Sequence, residues 1–299
     1  MKKTFPIVKN FKIFGIISIL LCSIGLFSII ALPFGLNLFN LSIDFAGGTQ
    51  MEFNMKTSVT TEIKDQVKTV FSDATGVTPS SVINASDTHV IVRTSSIDSE
   101  KRQAVISAME KEFNLTEDDL YQNEDVSASV GQDMQRTAFI SAIAAIILMM
   151  LYISFRFEFT SGLAAVVCLL HDLLVMLTCY VVFQISMDSK FIAAALTILG
   201  YSINASIIVF DRVRENLRTS RKEPFEDVAE RSVWQTMGRT INTTLTTLFT
   251  VGMLCILVPS LRNFAVPLII GILSGAYSSI LLSSALWGKF RKIFRKKHA

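Results

Sequence analysis

The sequence predicts an α-helical membrane bundle of six transmembrane helices, with a small ferredoxin-like α+β extracytoplasmic domain between the first and second. Three observations predict it. Of the 299 residues, 51% are hydrophobic and 18% charged, whereas soluble domains carry about 25% charged residues. The apolar residues gather in runs long enough to cross a bilayer, which takes about 20 residues of helix. A single long polar segment, 33–135, interrupts these runs and carries strand and helix periodicities of its own.

Residues 1–10 form a basic start, and the first span is 11–32. That run is longer than the apolar core of a signal peptide, and no clear small-x-small cleavage site follows. It reads as a retained anchor. In the polar segment, Met51, Phe53 and Met55 alternate as in a strand. Ile63, Val67, Val70 and Phe71 share one helical face. Gly76 and Pro79 end that helix. Residues 80–94 read as two short strands with a turn at 84–87, and Val105, Met109 and Phe113 stand at helical spacing over 99–113. The extended stretch from Leu120 completes the order β-α-β-β-α-β, that of a ferredoxin-like sandwich. His89, the histidine of this segment, reads as a partly exposed strand residue. Five further spans occupy 136–155, 159–183, 190–210, 241–258 and 264–287, and a basic tail closes the chain at 288–299.

Charge gives these spans a direction. Lys2, Lys3, Lys9 and Lys12 precede or open the first span. Six basic residues lie in the tail and seven between the fourth and fifth spans. With six spans all three groups fall on one side, which by the positive-inside rule is the cytoplasm. The segment 34–134 then faces out, with sixteen acidic against seven basic residues.

Several chemistries lack a sequence basis. Cys22, Cys168, Cys179 and Cys255 all lie in apolar runs without metal-ligand spacing, so they read as packing residues. Gly47 and Gly48 follow Asp44, but no phosphate-binding Gly-rich loop with Lys and Ser/Thr is present. The chain is expected to be no enzyme and to need no cofactor, metal or nucleic acid.

Ionisable residues inside a span are costly unless paired or hydrated, so each one points to a site. Asp172, beside His171 in the third span, is the clearest. It either titrates or pairs with a partner, or it is a carboxyl tied to its neighbours that locks helices together. Tyr201, Ser202 and Asn204 of the fourth span are candidate hydrogen-bond partners for it. Asp211 and Arg212 close the fourth span, and Arg239 opens the fifth just before a cluster of threonines, Thr240 to Thr250. Those threonines can satisfy backbone carbonyls or line a polar seam. Gly271, Gly275, Ser279 and Ser283 form a small-residue stripe suited to close helix contact.

Four motifs carry a family resemblance. They are SIDFAGGTQMEF at 42–53, HDLLVML at 171–177, GYSINASIIVFDRVREN at 200–216 and RTINTTLTT at 239–247. In this order they resemble the SecD/SecF family of the RND superfamily, and the resemblance covers essentially the whole chain. It implies an RND-type bundle and marks Asp44, Gly47, Gly48, Gly200, Tyr201, Asp211 and Arg212 as family motif residues. It further implies a bacterial inner-membrane protein that acts with SecD, the SecYEG channel and the YajC subunit on translocating unfolded polypeptide. Such a subunit assists late translocation and draws on the proton gradient. Asn204 and Arg239 carry over as pathway-lining residues, beside Asp172. The chain departs from the pattern at Ala205, where the family carries Asp. Alanine cannot titrate, so proton coupling is either absent or rests on a carboxylate of SecD together with Asp172. The alternatives are a non-conducting subunit that stabilises SecD and presents the outside domain, or an RND-type exporter of small molecules or lipid.

Overall fold

The computed structural model describes residues 6–220 and 222–296, without the side chains of 295 and 296. Lys2, Lys3, Arg221 and Lys297, counted above in the basic flanks, lie outside the described residues. Contacts divide the chain into Leu41–Thr137 and a second unit made of the remaining residues on both sides of it.

In the first unit a single turn of helix, α2 (Ile43–Ala46), leads into β1 (Gly48–Asn54), α3 (Thr61–Thr75), β2 (Ser81–Asn84), β3 (His89–Thr94), α4 (Ser99–Phe113) and β4 (Leu120–Val126). The sheet order is β2-β3-β1-β4 with every pairing antiparallel. This is the split β-α-β arrangement that the strand and helix order predicts. The ends of the helices are chemically marked. The Thr60 hydroxyl accepts from the Ile63 amide and Gly76 takes the left-handed conformation after α3. Asp98 caps α4, and Asn114, at φ 51°, ends it. Met51, Phe53, Val67, Phe71, Val90, Val92, Val105 and Met109 form the core between sheet and helices. His89 is half-buried in β3, with Nδ1 2.8 Å from Glu52 Oε1 and its ring edge-on to Tyr121.

The second unit is helical: α1 (Phe11–Ala31), the C-terminal part of α5 (Ala128–Arg156), α6 (Phe159–Val182), α7 (Lys190–Thr219), α8 (Phe225–Leu257), α9 (Arg262–Leu281) and α10 (Ser283–Lys296). Among the described residues, six helices are long and apolar enough to cross a membrane. Their limits differ from the hydropathy reading at four places. α5 begins at Ala128, ahead of Arg136. α7 continues past Phe210 to Thr219. α8 starts at Phe225, well before Ile241. These extensions are polar, so hydropathy cannot see them, but they retain helix-forming residues and favourable charges. Glu226 and Asp227 stand in the first turn of α8, where the helix dipole favours acids. The segment expected as a loop between the fourth and fifth spans is therefore mostly helix. The sixth span also ends early. Its predicted range divides at Leu282 between α9 and α10, so Ser283 and Trp287 belong to the last helix. The Ser283 hydroxyl donates back to the Ser279 carbonyl over 2.7 Å, a bond that competes with the backbone ladder and bends helices.

Small residues let these helices approach. Gly25 of α1 lies so close to α6 that an added Cβ would meet the Leu174 carbonyl, and its amide donates to Thr178 Oγ1 at 2.9 Å. On α9 a Cβ at Gly275 would stand 3.2 Å from Ser202 Cβ of α7, and one at Gly271 would overlap Ile198. Gly271 and Gly275 thus hold α9 tight against α7. Pro267 is buried inside α9. Proline has no amide hydrogen, so the carbonyl four residues earlier loses its helical donor. That carbonyl, of Asn263, accepts from the Tyr180 hydroxyl at 3.2 Å.

Candidate functional site

The tight α7–α9 contact brings serine hydroxyls to Asp172, which is fully buried on α6. Ser202 of α7 donates to Oδ2 at 2.5 Å, and Ser278 of α9 donates to the same oxygen at 2.8 Å. Ser274 donates to Oδ1 at 2.6 Å, and His171 Nδ1 is 2.9 Å from that oxygen. Three hydroxyl donors and one imidazole nitrogen, from three helices, therefore converge on one carboxylate. Ser274 and Ser278 stand four residues apart, on one face of α9. Behind the carboxylate, the His171 ring stacks on Tyr277 at 5.8 Å between centroids. The Tyr277 hydroxyl donates to the Phe14 carbonyl of α1 at 2.7 Å, and the Cys22 thiol approaches the His171 carbonyl at 3.6 Å. The four cysteines are all free thiols.

His171 thus reaches Asp172, and of the three candidate partners on α7 only Ser202 does. Tyr201, one residue away, donates instead to Thr244 Oγ1 of α8 at 2.9 Å. Asn204 is exposed, because two residues on a helix point to nearly opposite sides. Arg239 is also exposed, inside α8 rather than at its start. It lines a cleft of about 520 Å³ between α5, α7 and α8, with Asp211, Arg212, Glu215 and Gln235. Arg212 donates to Gln235 Oε1 and to Glu215 Oε2, both at 2.6 Å. Asp172 therefore belongs to the buried interior, and Asn204 and Arg239 to exposed faces. Thr240, Thr243, Thr244, Thr246, Thr247 and Thr250 each donate to a carbonyl three or four residues back. Sequence reasoning missed Ser274 and Ser278. The pair of small hydroxyl residues one turn apart in an apolar run was the available signal.

The glycine motif does a backbone task. Ser42 caps α2 by accepting from the Asp44 amide at 3.3 Å. Gly47 has φ 73° and Gly48 φ 116°, values that favour glycine. A Cβ at Gly47 would come within 2.8 Å of Ala128 Cα, and one at Gly48 would strike the Thr94 carbonyl. The motif lets the turn press against the start of α5 and feed β1 directly. Gly200 has open space where a side chain would stand.

A family model described as protein export membrane protein SecD/SecF, C-terminal, matches residues 105–293, and one for the SecD/SecF GG motif matches 39–59. This chain belongs to the SecD/SecF family. Family relatives match it end to end. The protein translocase subunit SecF of Acidaminococcus fermentans is 36% identical over 98% of this chain and 100% of its own length. That of Haemophilus influenzae is 34% identical over 96% and 87%. Among solved structures, the crystal structure of SecDF, a translocon-associated membrane protein from Thermus thermophilus, superposes with a TM-score of 0.85 at 29% identity. It covers all of this chain, which spans 39% of the SecDF chain. As a SecD/SecF family member with six such helices, the chain is a multi-pass membrane protein.

Proposed function

We propose that this chain is an auxiliary subunit of the Sec protein-export machinery that acts with SecD to promote late translocation of secreted polypeptides. The end-to-end match to proteins named protein translocase subunit SecF carries this reading. Relatives named SecDF, in Thermus thermophilus and Bacillus subtilis, match over about a third of their length and support SecD as partner. The Thermus SecDF is a translocon-associated membrane protein, which supports a place for this chain beside the SecYEG channel, and the family resemblance adds YajC. The subunit is a transport component and not an enzyme. It sits in the bacterial inner membrane with both termini cytoplasmic, as the basic flanks and even span count support.

The energy source is the proton gradient, used through polar groups of the bundle. Asp172 and Arg239 support this reading, because a buried carboxylate and an exposed guanidinium along apolar helices are retained at a cost. A second reading, a non-conducting subunit that stabilises SecD, is favoured by one observation: the family aspartate is replaced by the buried Ala205. Export of a secreted reporter, in cells depleted of the native protein, separates them. Wild type, Asp172→Asn and Arg239→Ala are compared at matched abundance, with and without a collapsed gradient. Loss of export in both variants, and loss of the wild-type advantage on collapse, is expected. Normal export by both variants would leave the non-conducting reading.

A further inference from the structure

The cluster around Asp172 holds one polar atom with no place in its bonding. A carboxylate offers about four acceptor positions. All four are taken, by Ser202, Ser274, Ser278 and His171 Nδ1. In the tautomer where Nδ1 donates to Oδ1 alongside the three hydroxyls, all four positions are filled by donors and the carboxylate is the anion. Nδ1 then carries the imidazole hydrogen. The weaker approach of Ser274 Oγ to Nδ1, at 3.4 Å, agrees, since that oxygen can accept while its own hydrogen goes to Asp172. Nε2 is left over. The His171 side chain is 8% exposed, and its Nε2 has no hydrogen-bond partner among the described residues. In that tautomer a proton on Nε2 leaves all four contacts to the carboxylate in place, and the Cys22 thiol is the polar side chain of α1 beside the ring.

We propose that Nε2 of His171 is a proton-binding site inside the helical unit, with Asp172 remaining ionised beside it. With a neutral ring the pair carries one negative charge in an apolar bundle. With a proton on Nε2 it becomes a neutral ion pair, which a low-dielectric interior favours. The titratable groups beside the pair are Cys168 on the same helix, which interacts with Asp172, and Cys22 on α1 and Tyr277 on α9, which lie against the ring. α7 contributes the Ser202 hydroxyl to the carboxylate. No lysine or arginine pairs with either member among the described residues. Tyr277 lies flat on the ring and holds α1 through Phe14, so the charge on His171 is felt where α1, α6 and α9 meet. This deepens the export reading, on which its use by the cell rests, but the proton site can be tested without export.

The test uses the full chain in lipid, labelled with nitrogen-15 histidine. The chain has three histidines. His89→Gln and His298→Gln leave His171 as the only one. The expected result is a neutral ring with its hydrogen on Nδ1 at high pH, converting to imidazolium within about pH 5 to 10. Asp172→Asn should lower the proton affinity about tenfold or more, because the adjacent anion is gone. A hydrogen on Nε2 in the neutral ring, or one protonation state throughout that range, would overturn the proposal. So would an unchanged affinity in Asp172→Asn. If that variant does not fold, the tautomer and titration with Asp172 in place still decide. A chain that titrates at His171 but exports without regard to the gradient keeps the proton site and loses its proposed use.

Discussion

At the scale of single residues, the polar atoms of this chain are held in specific pairs whose loss has a direction. Asp172→Ala would leave the Ser202 and Ser274 hydroxyls without their acceptor, and Ser278 with the Gly275 carbonyl alone, at a cost of about 3 kcal/mol. Asp172→Asn keeps an acceptor oxygen and should cost clearly less, a ranking that thermal unfolding in detergent can read. Tyr180→Phe removes the donor that the Asn263 carbonyl gains in place of the missing Pro267 amide, and should cost about 1 kcal/mol in the same measurement. In the α+β unit Lys56 lies 2.5 Å from Asp119, whose carboxylate also accepts from the Thr116 amide and hydroxyl. Lys56 first, and then Thr116, lowers the Asp119 pKa from 3.8 to about 2. The folded value is depressed, so this contribution to stability is complete above about pH 4 and is lost as pH falls through about 2. Lys56→Met should move the acid unfolding of this unit to higher pH, as circular dichroism of acid titrations would show.

At the scale of elements, close helix approach decides which hydroxyls meet which carboxylate. Gly275 sits against Ser202, with a would-be Cβ 3.2 Å from Ser202 Cβ. Gly275→Leu should force α7 from α9, withdraw Ser202 from Asp172 and lower the melting temperature. Gly200→Ala is the control. Its added Cβ meets open space, and alanine is the better helix former, so stability should hold or rise by up to about 1 kcal/mol. Equal effects of the two substitutions would show that the α7–α9 contact does not carry the cluster. The helix limits belong to this scale as well. α8 has 33 residues and is about 50 Å long, more than a bilayer core of about 30 Å requires. Its polar start, with Val228, Ala229, Ser232 and Val233 buried, is held by packing.

For the whole molecule, the proposed orientation places Leu41–Thr137 outside and the α7–α8 connection in the cytoplasm. Cysteines introduced singly at Tyr121, 70% exposed in the α+β unit, and at Lys222, exposed between α7 and α8, test it in intact cells with Cys255 replaced. An impermeant thiol reagent should label the first and spare the second. The reverse pattern would invert the topology.

The sequence by itself determined the six spans, the inserted α+β unit and its strand order. Those signals are local: apolar runs, alternation at 51–55, helical spacing at 63–71 and 105–113, and a glycine or asparagine to end α3 and α4. It also marked Asp172, because a charge in an apolar run is costly wherever it points. Only the tertiary structure decided what that carboxylate binds. Its donors come from residues 30, 102 and 106 positions along the chain, and nothing in local pattern fixes which helix faces which. The same holds for Asn204 and Arg239, which periodicity leaves free to face inward and which the fold turns outward. The helix ends stayed hidden for a different reason. In water a polar stretch serves equally well as loop or as helix, and the polar parts of α7 and α8 are held by packing with α10, where Val213, Ala229 and Val233 share a buried cluster with Ala285 and Trp287.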